Sequence, residues 1–491
     1  MNNIYRFLMF VLAIFTLNSC SEIVDIEPQS VLTSQVVWKE EGDAIAGVNG
    51  LLSNFRNTIN GDSFLFWFEL RSGNWQYGRT AGGAGTLGWD HLFVNSLNPS
   101  ASPGTDWSKF YTTINAANLA IKYIPEIDFK NQNTKNELLA QSYFIRAYCY
   151  YTLVRIYGEV PVLLSGFESV DTEDLYPHRK PVEEVFDQIK SDISQALDLY
   201  PSNEEISKYR PTNAAINMLK ADVYLWSAKR LNKGNADLEQ AKEAVNTIIN
   251  QSNYSLLDDY ENIFRNEAND EIIFSLYFAV NEAENHYLDL GTQNINDVPA
   301  EYQNNPIVVG NSPNRLTFSQ EYIDNYLNKN EEDTRIPVIY QEFETPDQTY
   351  KWINKFIGEW RDGRRYFTSD IVLYRFAETL LFKAEILNAL GASNEAIACL
   401  NEISKRAYGL ENYYPSTLTQ AEIDDAILDE RLIEFGAEGK SWFDILRFGK
   451  AFTRIPSLIG RENEKNGNIL LFPISPETIT RNPNITQTPG Y

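Results

Sequence analysis

Three glutamates in the C-terminal part of the chain could supply acid–base chemistry. Glu430, Glu434 and Glu438 lie in a segment with helical periodicity, and a pair of carboxylates is the catalytic apparatus of most glycoside hydrolases. Arg431 and Lys440 lie among them, and carboxylates beside cations on a helix surface commonly form ion pairs. We therefore interpret the three glutamates as a solvated, ion-paired helix face rather than a catalytic pair.

Histidine and cysteine give little support for metal or nucleophilic chemistry. His91, His178 and His286 are the three histidines of the chain, they are far apart in the sequence, and no HExxH motif is present. We therefore expect neither a metal site nor a catalytic triad. Cys149 and Cys399 lie in apolar helical segments and are predicted to be buried free thiols. The sequence predicts no cofactor.

A different chemistry is indicated by residues 60–106, which are rich in glycine, aromatic and polar residues and show little helical periodicity. Aromatic rings stack on flat apolar surfaces, while arginine and amide groups form hydrogen bonds with hydroxyls. This combination suits a sugar ring, which has an apolar face and a rim of hydroxyl groups. The candidate ligand-binding residues are Arg71, Asn74, Trp75, Tyr77, Arg79 and Trp89, with Tyr287 and Tyr302 from a second irregular segment.

Four pairs of helices are predicted to position these segments. Apolar residues recur at helical spacing in ranges 38–58 with 107–124, 136–157 with 182–200, 212–229 with 237–250, and 371–390 with 394–407. In the last pair, small and large residues match the spacing of a tetratricopeptide repeat: Ala384, Leu387, Ala396, Leu400 and Ile403. The predicted fold is all-α, a tetratricopeptide-like scaffold with a first insertion (residues 60–106) and a second, partly β insertion (residues 251–370).

Within the first insertion, one run of aromatic residues is expected to be structural. Phe64, Phe66, Trp67 and Phe68 stand almost consecutively in the sequence. We expect these four side chains to bury the insertion against the scaffold, because large apolar side chains gain most by leaving water. The stacking role is therefore assigned to the later aromatic residues, which are flanked by glycine and polar residues.

Composition excludes several classes of partner. The chain of 491 residues has a net charge of −25, so it should repel nucleic acid and anionic surfaces. Its aromatic content of 13% is high and favours stacking surfaces in addition to packing. Neutral ligands are the expected partners. The length allows one large domain, which we place at residues 38–491.

The N-terminal segment predicts export and lipidation. Arg6 precedes the apolar run Phe7–Leu17, which is too short to span a membrane and is typical of a secretory signal. The last residue of this run begins the sequence LNSC (Leu17–Cys20), which resembles a bacterial lipobox. We predict a signal peptide at residues 1–19, acylation of the Cys20 thiol, and a membrane tether at residues 20–37. The alternative is an ordinary secretory signal with a chance cysteine.

Five segments, taken together, resemble one family. Residues 425–450 contain the pattern ER-x-x-EF-x-x-EG-x-x-WFD-x-x-R-x-G, which resembles the C-terminal signature of the SusD/RagB family of outer-membrane nutrient-binding lipoproteins. Four further segments are similar to family patterns and occur in the family's order: ELLAQSYFIRAYCYYTLVRIYGEVPVL (137–163), RPTNAAINMLKADVYLW (210–226), LYRFAETLLFKAEILN (373–388) and FPISPETITRNPNITQTPGY (472–491). The resemblance covers nearly the whole chain after the predicted signal peptide.

The resemblance implies an all-α fold of four tetratricopeptide units with a loop-rich ligand-binding side. It implies a lipid-anchored protein on the outer face of the outer membrane. Such a protein would cap a SusC-like TonB-dependent transporter and capture glycans, or other nutrients, for import without catalysis. Two alternatives remain open at this point: a glycoside hydrolase lipoprotein, and a tetratricopeptide scaffold that binds peptide.

Overall fold

The computed structural model describes residues 38–79, 88–168, 176–200 and 207–491. The predicted signal peptide at residues 1–19, the predicted lipidation site Cys20 and the tether up to residue 37 lie outside the described residues. Residues 80–87 of the first insertion also lie outside them.

Long helices form the scaffold. They are α1 (Glu41–Ile59), α2 (Ser108–Tyr123), α3 (Gln132–Tyr157), α4 (Val182–Leu199), α5 (Asn213–Arg230), α6 (Asn235–Gln251), α7 (Phe376–Ala389), α8 (Ser393–Tyr408), α9 (Gln420–Glu434) and α10 (Ser441–Arg447). Helix α1 packs against α2, α3 against α4, α5 against α6, and α7 against α8. These are the four predicted pairs, and their bounds differ from the predicted ones by a few residues at most positions.

Further helices lie in the insertions and near the C-terminus: Asp62–Phe68, Asp90–Phe93, Asn262–Arg265, Gln320–Tyr322, Ile336–Ile339, Ala451–Arg454 and Pro476–Arg481. All five residues from Phe64 to Phe68 are buried, which agrees with the expectation for Phe64, Phe66, Trp67 and Phe68. This helix has no exposed stripe, so its sequence carries no amphipathic period, and the first insertion is less irregular than its sequence indicates.

The strands are short and pair two by two. They are β1 (Trp75–Tyr77), β2 (Ile272–Leu276), β3 (Gln293–Asn294), β4 (Val309–Gly310), β5 (Leu316–Phe318), β6 (Tyr340–Glu344), β7 (Thr349–Ile353), β8 (Glu359–Arg361), β9 (Arg364–Tyr366) and β10 (Ile371–Arg375). The pairs β1–β5, β2–β10, β6–β7 and β8–β9 are antiparallel, and β3–β4 is parallel. Most strands belong to the second insertion, which is therefore partly β as predicted.

The start of the fourth helix pair differs from the prediction. Residues 371–375, predicted as the first turns of a helix, form strand β10, and helix α7 begins at Phe376. All five residues of β10 are buried, and the strand pairs with β2. Backbone hydrogen bonds with a distant strand override the local helical period, because β-branched residues such as Ile371 and Val372 suit a buried strand.

Local sequence explains how the central helices begin and end. Helix α3 is buried on nearly all faces from Leu138 to Tyr157, so it forms the centre of the scaffold. The Asn131 side chain accepts a hydrogen bond from the backbone N–H of Asn133 at its start, and Gly158, with φ of 74°, ends it. In the described part of the chain, no helix combines the length and apolar composition needed to cross a membrane.

Candidate functional site

Arg71 is consumed by structural contacts. Its side chain is buried, and its guanidinium group donates hydrogen bonds to Asn95 Oδ1 (2.8 Å), Leu470 O (2.9 Å) and Ile469 O (2.5 Å). The same group lies 4.4 Å from the ring centroid of Trp442. Burial lowers the pKa of Arg71 to about 10. Arg71 therefore ties the first insertion to the C-terminal segment, and no donor of its guanidinium fork faces solvent.

Trp75 and Asn74 also lie inside the protein. The Trp75 indole N–H donates to Glu69 Oε2 (2.9 Å), and its ring lies 4.7 Å from that of Phe318. Burial raises the pKa of Glu69 to about 7, although the hydrogen bond from Trp75 opposes the rise. The backbone carbonyl of Asn74 accepts from Ser319 N (2.8 Å). Both predicted ligand-binding residues thus join β1 to its surroundings.

Trp89 and Tyr287 are the other predicted residues that the structure buries. Trp89 is 4% exposed and packs edge-on against Phe66 at 5.5 Å. Tyr287 is 1% exposed and stacks on Phe356, with ring centroids 3.8 Å apart and planes 7° apart. Neither ring has a free face for a ligand in this structure. Five of the eight predicted residues are therefore packed inside: Arg71, Asn74, Trp75, Trp89 and Tyr287.

The remaining three predicted residues reach the surface. Tyr77 is half-buried, and its hydroxyl donates to Asp90 Oδ2 (3.2 Å). Burial and the neighbouring carboxylate of Asp90 raise the pKa of Tyr77, so the hydroxyl stays protonated and able to donate. Arg79 is exposed. Tyr302 is half-buried, with its ring 5.4 Å from that of Phe343.

One small apolar cluster connects Arg79 of the first insertion with Tyr302 of the second. Its buried members are Val298, Ile307, Val309, Tyr350 and Trp352. Tyr302 and Phe343 pack against this cluster from the second insertion, and the Arg79 guanidinium lies 5.5 Å from the Tyr350 ring centroid, from the first. We call the set Tyr77, Arg79, Asp90, Tyr302 and Phe343 the junction surface; Arg79 is exposed and the other four are half-buried.

Strand pairing holds the junction surface together. Strand β1 from the first insertion pairs with β5 from the second in the register Trp75 with Phe318 and Tyr77 with Leu316. The pairing continues one residue further, where Gly78 N donates to Arg315 O (2.6 Å). The ladder fixes the Tyr77 ring, and the Tyr77 hydroxyl bonds the Asp90 carboxylate. Arg79 follows directly after the last bond of the ladder, so a ring, a carboxylate and a guanidinium are available to stack on a ligand and bond its hydroxyls.

Two aromatic residues at this site were not predicted: Phe343 of the junction surface and Tyr350 of the buried cluster that it packs against. Phe343 and Tyr350 lie on the hairpin formed by β6 and β7, where Phe343 is opposite Tyr350. The alternating sequence YQEFE and TYKWI, separated by a turn containing Pro346 and Asp347, is typical of a hairpin and could have indicated it. Trp360, on β8, is 37% exposed and adds a further ring at the surface of the same insertion.

The three glutamates of α9 and the turn after it form no solvated face, contrary to the expectation. Glu430, Glu434 and Glu438 are at most 3% exposed. Glu430 accepts from Arg335 Nη1 (2.8 Å), and Glu438 accepts from Arg375 Nε (2.9 Å). The residues are ion-paired as expected, but the pairs are inside the protein because the opposing arginines come from distant segments. Among the described residues, no group of three His, Cys, Asp or Glu side chains is arranged to hold a metal ion.

Glu434 shows that this network is unsuited to acid catalysis. Its carboxylate accepts from Arg335 Nη1 (2.9 Å), from Arg375 Nη1 (2.5 Å) and from Arg406. Burial on its own would raise the pKa of Glu434, but the three guanidinium groups outweigh burial and hold it well below its ordinary value. A glycosidase acid needs a raised pKa and access to substrate, and Glu434 has neither.

Two family models match the chain. The model described as "Starch-binding associating with outer membrane" matches residues 22–225, and the SusD family model matches residues 340–491. The chain belongs to the SusD/RagB family. Membership of this family agrees with the resemblance found in the five sequence segments. The first of the two descriptions names association with the outer membrane.

Full-length relatives support the assignment. SusD-like protein P38 of Formosa agariphila is 26% identical over 100% of this chain and 99% of its own length. Among solved structures, B. fragilis NanU is 28% identical with a TM-score of 0.80, covering 95% of this chain and 100% of NanU. A laminarin-binding SusD-like protein has a TM-score of 0.75 at 22% identity, covering 92% of this chain and all of its own, which shows the fold alone. The predicted all-α, SusD-like fold class is confirmed.

Proposed function

We propose that this SusD/RagB-family protein captures a glycan at the junction surface and does not transform it. The observation that carries the proposal is the contact between the two insertions: β1 pairs with β5, and Arg79 of the first insertion lies against Tyr350 of the cluster on which Tyr302 of the second insertion packs. Rings and polar groups drawn from two insertions suit an extended ligand with apolar faces and hydroxyl rims. A few stacked rings would give a dissociation constant of about 1 μM to 1 mM.

The net charge of the chain and its similarity to known proteins both support a neutral glycan as the ligand. A chain with a net charge of −25 favours neutral ligands over anionic ones. The family model that matches residues 22–225 is described as starch-binding, and one structural neighbour is described as laminarin-binding. Starch and laminarin are both neutral glucans. We therefore propose a neutral oligosaccharide or polysaccharide as the ligand.

A binding role without catalysis is supported by the carboxylates of α9. The rival interpretation as a glycoside hydrolase needs two accessible carboxylates on either side of a bond. Glu430 and Glu434, the candidates in the sequence, are buried and held by arginines. The proposal also places the protein on the outer membrane, anchored through acylated Cys20, with a SusC-like TonB-dependent transporter as the partner that receives the glycan.

The experiment that tests the proposal is a glycan array probed with the purified protein, followed by calorimetric titration of the best glycan. Arg79→Ala and Tyr302→Ala each remove a side chain that contacts the shared cluster. We expect each variant to weaken binding about threefold to tenfold, the loss typical of one stacking or cation–π contact, with unchanged thermal unfolding.

Two matched control variants test whether the loss is specific to the junction surface. Arg481→Ala and Tyr176→Ala remove an exposed arginine and an exposed tyrosine outside the junction surface. Both controls should bind the glycan as the unmodified protein does. A glycan affinity that is no weaker in the double variant Arg79→Ala, Tyr302→Ala than in the unmodified protein would place the site elsewhere. Hydrolysis of the glycan, or binding of peptides alone, would favour the hydrolase or the peptide-binding scaffold.

A further inference from the structure

A second cleft lies away from the junction surface, between the C-terminal end of α8, helix α9 and a segment of the second insertion. It encloses about 410 Å³, which is within the range of roughly 300–1,000 Å³ found for small-molecule sites. Four tyrosines line it: Tyr326, Tyr408, Tyr413 and Tyr414. Among its described lining residues, none belongs to the junction surface.

The tyrosine rings are held in place before any ligand binds. The hydroxyl groups of Tyr408 and Tyr414 both donate to Glu430 Oε1, at 2.6 and 2.7 Å. Burial and then the Glu430 charge raise the pKa of both tyrosines, so the hydroxyls remain donors. The loop carrying Tyr414 is clamped by Asn401, whose Oδ1 accepts from Tyr414 N (2.9 Å) and whose Nδ2 donates to Tyr414 O (3.0 Å).

Tyr413 is the ring most available to a ligand. It is 37% exposed, and its ring centroid lies 4.3 Å from that of Tyr408 and 4.9 Å from that of Tyr414, the latter nearly perpendicular at 84°. The perpendicular pair forms a corner that offers an apolar wall and an apolar floor. Tyr326, on the far side, belongs to a single π-helical turn, Ile323–Leu327, a feature frequent at functional sites.

Two of the carboxylates that line the cleft are paired with cations. Asp425 pairs with Lys450 (2.7 Å) and Arg454 (3.0 Å), and Asp429 pairs with Lys329 (3.2 Å) and also with Arg454. An unpaired carboxylate cluster beside aromatic rings would attract a cationic ligand. Asp425 and Asp429 are paired in this way and share Arg454, so these two carboxylates add little attraction for a cationic ligand. The cleft offers aromatic faces and hydrogen-bonding groups.

We infer that this tyrosine cleft is a second binding site, for a neutral pyranose oligosaccharide. The aromatic corner at Tyr413 and Tyr414 would stack on the apolar face of a sugar ring. The polar side chains of Asn330, Lys329 and Asp429 on the cleft wall would bond the hydroxyl rim. The inference does not rest on the junction surface, because the two sites share no side chain.

The test uses the double variant Arg79→Ala, Tyr302→Ala as background, so that the junction surface is disabled. Crystals of this protein are soaked with maltotriose, laminaritriose, cellotriose, mannotriose and xylotriose in turn, and each trisaccharide is also titrated by calorimetry. We expect at least one trisaccharide to bind with a sugar ring against Tyr413. Tyr413→Ala should then weaken that binding about threefold to tenfold, the loss of one ring stack. Tyr413→Phe keeps the ring and should bind within about twofold of the background.

Several outcomes would overturn the inference. They are a cleft empty of every trisaccharide, binding at crystal concentration only, and affinity that Tyr413→Ala leaves unchanged. Binding of choline in the cleft in preference to the trisaccharides would identify a cation site instead. Tyr176→Ala serves as the control for loss of an exposed tyrosine. These negative results would not contradict binding at the junction surface, because that site is tested by comparing its variants with the unmodified protein.

Discussion

At the scale of single residues, Glu434 has more cationic partners than the other carboxylates described above. One carboxylate faces three guanidinium groups, those of Arg335, Arg375 and Arg406, with no exposure to solvent. Removing one partner from a buried ionic cluster leaves the others without compensation, which is costlier than losing the pair itself. The arrangement leaves Glu434 unsuited to catalysis. It joins distant segments of the chain, because each arginine comes from a different element.

The variant Glu434→Gln tests how much the charge of this carboxylate contributes to the free energy of unfolding. It keeps the shape of the side chain but removes the charge, and we expect a loss of about 3–5 kcal/mol in the free energy of unfolding. Urea denaturation measures the loss. The control is Glu477→Gln, which breaks the exposed pair between Glu477 and Arg481 (2.5 Å) and should cost less than about 1 kcal/mol.

The pH dependence of stability follows from the same residue. The pKa of Glu434 is lower in the folded protein than its ordinary value of 4.5, so its contribution is fully present above that value and is lost as pH falls through the folded pKa. Acidification below about pH 4.5 should therefore cost the unmodified protein more stability than it costs Glu434→Gln. Parallel pH profiles for the two proteins would contradict the assigned role.

At the scale of elements, the turn between α9 and α10 is where the first insertion is fastened to the scaffold. Gly439 has φ of 75°, and its backbone N–H donates to the buried Glu69 Oε1 (2.6 Å). A Cβ atom at Gly439 would lie 2.4 Å from Cζ of Phe64. The turn thus needs glycine both for its backbone conformation and for the close approach of an aromatic ring.

Two glycine variants separate these requirements. Gly391→Ala, in the turn between α7 and α8, has φ of 83° but no atom within 4 Å of the new Cβ, so it should cost about 1–2 kcal/mol from backbone strain alone. Gly439→Ala adds the clash with Phe64 and should cost a further 1–3 kcal/mol or so. Thermal unfolding compares the two. Equal losses would mean that Phe64 moves aside freely and that the contact does not fasten the insertion.

The helix pairs could be predicted because their signal is local. In α4 the buried residues Val185, Ile189, Ile193 and Ala196 recur every three or four positions, so the period alone predicts the helix. Strand β10 and the helix Asp62–Phe68 could not be predicted in this way. All residues of β10 and all those from Phe64 to Phe68 are buried, and a segment without an exposed face shows no period.

At the scale of the whole molecule, the sequence predicted which segments form the candidate site but not which of their residues reach the surface. Exposure in the insertions is decided by pairing between β1 and β5, which the sequence does not show. Trp75 and Tyr77 lie on the same face of β1, yet Trp75 is buried and Tyr77 is partly exposed. The elements packed over that face differ along the strand, and the sequence does not show them. The tyrosine cleft escaped prediction for the same reason, since Tyr326 meets Tyr413 only in the fold.

The overall charge of the molecule makes a last prediction. A neutral glycan releases no counterions when it binds, and it feels no repulsion from a chain of net charge −25. We expect its dissociation constant to change less than about twofold between about 0.05 and 0.5 M NaCl, although the Debye length falls severalfold over this range. Calorimetric titration at both salt concentrations gives the measurement.

The arginine of the junction surface makes this test discriminating. Arg79 is exposed, and an anionic ligand held by its charge would bind more weakly as salt screens the attraction. Binding that falls tenfold or so with salt, and that loses its salt dependence in Arg79→Ala, would identify an acidic glycan and contradict the neutral class. Salt-independent binding that Arg79→Ala still weakens would instead assign Arg79 to hydrogen bonding with hydroxyl groups, which is the role that a neutral sugar requires.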